Sequence, residues 1–389
     1  MTFLWSPILS RRAAAELLWS PTTVVRAPAL FNPAKQLRSI HQWTGGDGSP
    51  CTALAASETG LLIPRRSGPK FSSRTLASNC ASPHHHLHTR ATAAEEPAIH
   101  DVFEHNTGTW QYVVADPSTH SAVIIDPVLD YDAATQTITT DTADSLLSLV
   151  DESGYKVNRI LETHAHADHV SAASYLQNRL AHRQDHKPLI CIGKRITKVQ
   201  TLFGGRYGVP QNEYEGVFDQ LFDDHEEFDI GNLKATAIHL PGHTPDHLGY
   251  KIGDNVFCGD SLFHADIGTA RCDFPGGSVS DLFDSGRKLL SLPESVKIWT
   301  GHDYVPQERG RPVSWMTVGD HRRQNKHLRD GVTKEEFAAV RKERDAQLGE
   351  PRLLHPSLQL NIRAGRLPKK TESGHWMLRL PLKLGIAAW

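Results

Sequence analysis

No stretch of this 389-residue sequence approaches the ~20 consecutive apolar residues that a helix needs to cross a bilayer, which excludes a helical membrane protein. Cysteine is scarce. Cys51, Cys80, Cys191, Cys258 and Cys272 form no C-x-x-C pair and no even spacing, so a disulfide framework is not expected and a reducing compartment fits. No histidine-paired cysteine signature marks a nucleophile, and Cys272 reads as a site-wall residue. Net charge is also small, −2 at pH 7, and gives no general reason to expect nucleic acid as a partner.

That small net charge conceals an asymmetry. Residues 1–94 carry ten Lys/Arg and only three acidic residues, Glu16, Asp47 and Glu58, leaving an excess of about nine negative charges in the remainder. The segment is rich in Ser, Thr, Ala and Pro. It reads as a mitochondrial transit or disordered segment, which predicts a matrix location and a catalytic domain with a carboxy-terminal extension over 95–389. The cluster His84, His85, His86 and His88 within it reads as low-complexity drift rather than as a site.

Ordered structure is expected from about Ile99. Residues 111–115 and 121–126 read as a β-hairpin around Asp116-Pro117-Ser118-Thr119-His120. Leu146, Leu147 and Val150 fall at helical spacing within 143–153, and 159–163 reads as a buried strand. A helix over 170–181 and a strand over 189–192 follow. In the second half, 234–240, 247–252, 256–258 and 296–300 read as strands and 282–292 as a helix. Strand runs with interspersed helices in two halves point to an α/β fold of αββα type, two mixed sheets face to face with helices outside.

Strand after strand ends in a metal-type side chain. Thr163-His164, Gly242-His243, Gly259-Asp260 and Gly301-His302 each follow an apolar run. Loops at one edge of a rigid sandwich can gather such residues from distant parts of the chain. The densest motif is His164-Ala165-His166-Ala167-Asp168-His169. Three imidazoles and a carboxylate in six residues are costly to bury without metal, and they suit Zn, Fe or Mn.

This run, followed by Pro241-Gly242-His243, Gly259-Asp260 and Gly301-His302, resembles the metallo-β-lactamase superfamily over about residues 100–365. The resemblance implies one metal position at His164, His166, His243 and Asp260, and a second at Asp168, His169, His302 and the bridging Asp260. A finer likeness is to the persulfide dioxygenases. Arg271-Cys272-Asp273-Phe274 stands where that family typically has Arg-Thr-Asp-Phe, and Gly301-His302-Asp303-Tyr304 and Asn361-Ile362-Arg363-Ala364-Gly365 are similar to its later elements. Residues 194–222 and 333–348 are longer than in compact members, which bears on the thiol pocket.

In persulfide dioxygenases a single iron is held by two histidines and one aspartate, so the likeness implies one Fe(II) on His164, His243 and Asp260. It implies oxidation of glutathione persulfide by O₂ and water to glutathione and sulfite. His166, Asp168, His169 and His302 would then act around the metal as catalytic residues. Arg271, Tyr304 and Arg363 would bind the substrate, because guanidinium groups hold carboxylates bidentately. A brace between Arg271 and Asp273 is an equally good reading of that arginine. The competing expectation is a glyoxalase II-like hydrolase with two metals, including zinc, acting on a glutathione thioester. A non-catalytic metal sensor is the third. A homodimer is an admissible assembly, and no membrane partner is expected.

Overall fold

The computed structural model describes residues 96–385, and the expectations for the amino-terminal segment and its histidine cluster lie outside them. The chain opens with β1 (Ala98–Glu104), β2 (Thr109–Ala115) and β3 (Ser121–Ile125), an antiparallel meander. The expected hairpin is β2–β3. Its turn is fixed by the Asp116 carboxylate, which accepts from the Ser118 amide and from the hydroxyls of Ser118 and Thr119. Next come β4 (Val128–Asp132), β5 (Thr137–Thr139), α1 (Asp141–Glu152), β6 (Lys156–Leu161), β7 (Val170–Ser171), α2 (Ala173–Arg183), β8 (Leu189–Gly193), α3 (Ile196–Tyr207) and β9 (Gln220–Phe222). Val170 and Ser171, read as helical from sequence, pair with β4 instead, and α2 starts only after them.

The second half contains β10 (Glu227–Ile230), β11 (Leu233–His239), β12 (Leu248–Ile252), β13 (Asn255–Phe257), α4 (Val279–Leu290), β14 (Lys297–Trp299), β15 (Trp315–Thr317), α5 (Val318–Gln324), α6 (Lys334–Ala346) and α7 (Leu354–Asn361). Two six-stranded sheets result, in the orders β1-β2-β3-β6-β8-β9 and β10-β11-β12-β13-β14-β15. A three-stranded sheet, β5-β4-β7, accompanies them. Both large sheets are mixed: β3, β6, β8 and β9 run parallel, and so do β13 and β14, while the other pairs are antiparallel.

Strand alternation sorts the core into layers. Tyr112, Val114, Val123, Ile125 and Leu161 of the first sheet pack against Ala235, Ala237, Tyr250, Phe257 and Trp299 of the second. Their neighbours Val113, Ala115, Ile124 and Ile160 point the other way, against Leu146, Leu147 and Leu176 of α1 and α2 and Leu358 of α7. Ile238, Val256 and Ile298 face α4 and α6 through Leu282, Leu289 and Phe337. Each such buried side chain contributes ~1.5–3 kcal/mol from apolar burial. The arrangement is the expected αββα sandwich. Among the described residues no helix is long and apolar enough to cross a membrane.

This topology positions the site. β3 and β6 are parallel, so Asp126 and the 162–169 loop leave the first sheet at the same edge. β13 and β14 are parallel, and β11 runs in the same sense two strands away. Asp260, His302 and His243 therefore emerge together.

Candidate metal centre

His164, His243 and Asp260 form one group, with one ligand atom of each within 4.8 Å of the others. His243 donates from Nδ1 to the Arg271 carbonyl at 2.7 Å, which leaves Nε2 as a lone pair 3.6 Å from Asp260 Oδ2. His164 Nδ1 is 2.9 Å from the Thr163 hydroxyl, and its Nε2 is buried without a partner. Burial, together with neighbouring imidazoles, lowers the His164 pKa well below the ordinary range, so the ring stays neutral and able to ligate.

Asp168, His169 and His302 complete the ring. His302 Nε2 lies 2.8 Å from Asp168 Oδ2 and 3.7 Å from Asp260 Oδ1. Burial opposes the His302 charge, but those two carboxylates outweigh it and lift its pKa to about 9. Burial and the charge on His166 lower His169 to about 3. Burial raises the Asp260 pKa, opposed by His302 and His243. The structure thus leaves His164 Nε2, His166 Nδ1, His169 Nε2 and Asp260 Oδ1 buried with no hydrogen-bond partner. Orphaned donor atoms of this kind around one point are costly unless a cation satisfies them, and the set fits divalent metal.

His166 has a double anchor. Its Nε2 is 3.0 Å from Asp126 Oδ1 and 3.1 Å from Glu162 Oε2, all three being buried. Burial opposes protonation, but the two carboxylates outweigh it and raise the His166 pKa well above the usual imidazole range. Asp126 also accepts from the Thr163 amide and hydroxyl, and Glu162 accepts from Ser171.

The centre opens into a cavity of about 560 Å³ lined by Asp168, His243, Asp260, Phe263, Arg271 and Tyr304 on the metal side. Tyr304 stacks on His302 with ring centroids 5.7 Å apart. Lys326, Arg341, Arg344 and Arg352 also line the cavity. Arg341 is paired with Asp345, but Lys326, Arg344 and Arg352 have no carboxylate partner among the described residues. Burial and nearby cations lower the pKa of His327, beside them, to about 4.

Comparison with known proteins agrees with this geometry. The profile described as "Metallo-beta-lactamase superfamily" matches residues 106–302. The chain belongs to the metallo-β-lactamase superfamily. It is 43% identical to Glyoxylase B2 of Dictyostelium discoideum over 282 residues, 72% of this chain and 94% of that protein. It is 27% identical to the mitochondrial persulfide dioxygenase ETHE1 of Bos taurus, over 69% of this chain and 88% of that one. The crystal structure of ETHE1 from Myxococcus xanthus superposes with a TM-score of 0.55 at 26% identity, covering 69% of this chain and 100% of that chain.

In this metallo-β-lactamase fold Arg271 takes the brace that was its equal reading, while Arg363 departs from the substrate-binding expectation. Arg271 reaches the cavity, but its guanidinium forms a bidentate pair with Asp273. Arg363 does not reach it. It is buried, donating to Glu213 at 2.9 and 3.1 Å and to the Gln359 carbonyl, so it ties α7 to the 3₁₀ turn Gln211–Glu213. Its neighbour Asn361 carries the function of that element. Asn361 donates to the carbonyls of His166 and His169 and accepts from the Ser171 amide, bracing the histidine loop. Cys272 is buried in the core rather than lining the cavity, and burial pushes its thiol up to about 12.

Sequence reasoning in this superfamily member missed Asp126, Glu162, His247 and Asn361. Asp126 does end a strand, as the ligands do. His247 stacks on His164 at 4.8 Å, and its Nε2 accepts from the Asp260 amide at 2.9 Å. The glycines before two ligands are required by close approach. A Cβ on Gly259 would meet Thr163 Oγ1 at 2.6 Å, and one on Gly301 would meet Asp260 Oδ1 at 2.5 Å.

Proposed function

We propose that this chain is a glyoxalase II-like hydrolase of a glutathione thioester that works with two divalent metal ions. The observation that carries the reading is the complete donor set. Seven side chains able to hold metal lie close together, four of them with orphaned ligand atoms, and the superfamily pattern assigns them to two positions that share Asp260. His164, His166 and His243 would serve one position, and Asp168, His169 and His302 the other. The name of the 43% identical relative, Glyoxylase B2, supports the same chemistry. Divalent metal at these positions supplies Lewis acidity and makes water a nucleophile near neutral pH.

The protein's own residues do the rest. Asp126 and Glu162 accept from His166 Nε2, so Nδ1 is the ring nitrogen that would turn to a cation once its proton is displaced. His247 holds the Asp260 backbone. Lys326, Arg344 and Arg352 line the same cavity and offer unpaired positive charge to the two carboxylates of a glutathione moiety. Tyr304 offers a hydroxyl beside His302.

A second reading, persulfide oxidation at one iron, is favoured by a specific arrangement. His164, His243 and Asp260 form a two-histidine, one-carboxylate group by themselves, while His166 is engaged by two carboxylates. Arg271-Cys272-Asp273-Phe274 and the likeness to the Bos taurus persulfide dioxygenase support it too. Elemental analysis of anaerobically purified protein, with paired assays, separates the two. The hydrolase gives two metals per chain and rapid thioester turnover. One iron per chain with O₂ uptake and sulfite from glutathione persulfide overturns it in favour of the dioxygenase. The His302→Ala variant sharpens the count: it loses one metal of two in the hydrolase and keeps most of the iron in the dioxygenase.

Residues 1–94 complete the proposal as a mitochondrial transit segment, on their basic and acid-poor composition. A chain lacking them should keep its thermal stability and metal content but fail to enter mitochondria.

A further inference from the structure

The last described residues form a strap outside any helix or strand, along which leucines stand exposed. From Leu378 onward, residues alternate Leu378-Arg379-Leu380-Pro381-Leu382-Lys383-Leu384. In a half-buried extended segment the apolar set faces the body and the charged set faces water. Beyond Leu378, which packs against the core, the leucines are exposed along with the charged residues. The Arg379 amide donates to Gln359 Oε1 at 2.8 Å, and Gln359 Nε2 returns a bond to the Arg379 carbonyl at 2.8 Å. The Arg379 guanidinium donates to the carbonyls of Tyr207 and Gly208, at the carboxy end of α3 where a cation is favoured. Lys383 pairs with Glu350 at 2.6 Å.

The polar residues thus fasten the strap and leave its leucines outward. Leu380 is 66% exposed, Leu382 85% and Leu384 54%, with Trp376 at 54% and Met377 at 59% beside them. These five are a contiguous stretch of sequence rather than scattered surface residues, which marks an interaction surface. Residues 376–385 make no main-chain to main-chain hydrogen bond among the described residues.

Charge selects the occupant. Residues 366–385 carry Arg366, Lys369, Lys370, Arg379 and Lys383 against a single acid, Glu372. Lys369 and Lys370 have no carboxylate partner among the described residues, and the Lys370 ammonium sits 4.1 Å from the Trp376 ring centre. A second copy docking strap to strap would bring the same cations face to face. An anionic lipid surface complements both features. Its acyl boundary takes the leucines, Trp376 and Met377, and its phosphates take lysines that extend along the apolar layer. We propose that this strap docks the folded domain peripherally on an anionic lipid surface, an association distinct from spanning one.

Co-sedimentation of the full chain with vesicles tests it, using phosphatidylcholine alone or mixed with phosphatidylserine. Binding should require the anionic lipid and weaken as salt rises. It should fall on the order of tenfold in Leu380→Ser/Leu382→Ser/Leu384→Ser, and similarly in Lys369→Glu/Lys370→Glu. All these positions lie outside the metal cavity, so metal content and melting temperature should match the parent chain and certify folding. Equal vesicle binding by the parent and both variants overturns the proposal, as does no binding by any of them. A dimer seen by light scattering, lost in the triple serine variant and unaccompanied by vesicle binding, assigns the leucine row to a second copy and overturns it as well.

Discussion

The metal-type end of the site cavity and its cationic residues are built on opposite principles. At the metal end every donor follows a β-strand of one of the two sheets, and the parallel pairs β3–β6 and β13–β14 bring those strand ends to one edge. Lys326, Arg344 and Arg352, by contrast, come from α6 and the segments flanking it, outside both sheets. The metal end is rigid, over-determined by carboxylates and backbone contacts. The cationic residues are side chains without fixed partners. The one set is suited to chemistry, which tolerates little displacement of its groups, and the other to recognition, which tolerates more.

Breaking the metal end should have the largest effect. His164→Ala, His243→Ala and Asp260→Ala should each lose bound metal and at least ~10³-fold in activity under either functional reading, as measured by elemental analysis and turnover. Retention of full metal by any one of them would remove that residue from the ligand set.

Next comes the brace beneath it. Asn361→Ala strands the Ser171 amide and the carbonyls of His166 and His169, each buried. The expected cost is about 2–4 kcal/mol in thermal unfolding, accompanied by weaker metal retention. Arg363→Ala should likewise lower stability and leave KM unchanged, in contrast to the substrate-binding role expected from sequence.

The cationic residues should give a smaller and different response. Lys326→Ala and Arg344→Ala are each expected to raise KM about tenfold for a glutathione-bearing substrate, with kcat and metal content spared. A fall in kcat without change in KM would move these residues out of substrate binding.

The smallest effect concerns the support of that wall. His321, on α5, is buried and has its pKa lowered to about 4 by burial, aided by the charge of His264. The unfolded chain takes up this proton near pH 6.5 and the folded chain does not until about pH 4. Stability should therefore be intact above pH 6.5 and decline as pH falls from there toward 4. Metal-free His321→Gln should show a shallower decline across that window, read as melting temperature against pH.

The same division explains what could be read from the sequence. The sandwich and the gathering of metal-type residues were legible because both are written locally: alternation along strands, and histidine or aspartate where a strand stops. The small sheet β5-β4-β7 was not legible, since Val170 and Ser171 look helical until β4 is there to pair with them. Nor was the fate of Arg363, which has the chemistry to hold a carboxylate but is held first by Glu213, and no spacing rule announces a partner 150 residues away. The brace between Arg271 and Asp273, two residues apart, was legible as one of two readings. Asp126 was half-legible, ending a strand as the ligands do. Glu162 sits beside the histidine run, yet its task depends on a ring orientation that only the folded loop defines.

The Asn361 clamp has a consequence for the order in which the protein can be made. Its bonds to the histidine loop join residues 195, 192 and 190 positions apart. A chain growing from its amino terminus exposes the whole His164–His169 run long before the clamp has been synthesised. Every metal donor, His302 included, has likewise been made while α7 is still to come. Metal encountered during translation therefore meets a loop with no fixed backbone, and a prematurely terminated chain would carry the full set of ligands without the residue that holds them in register.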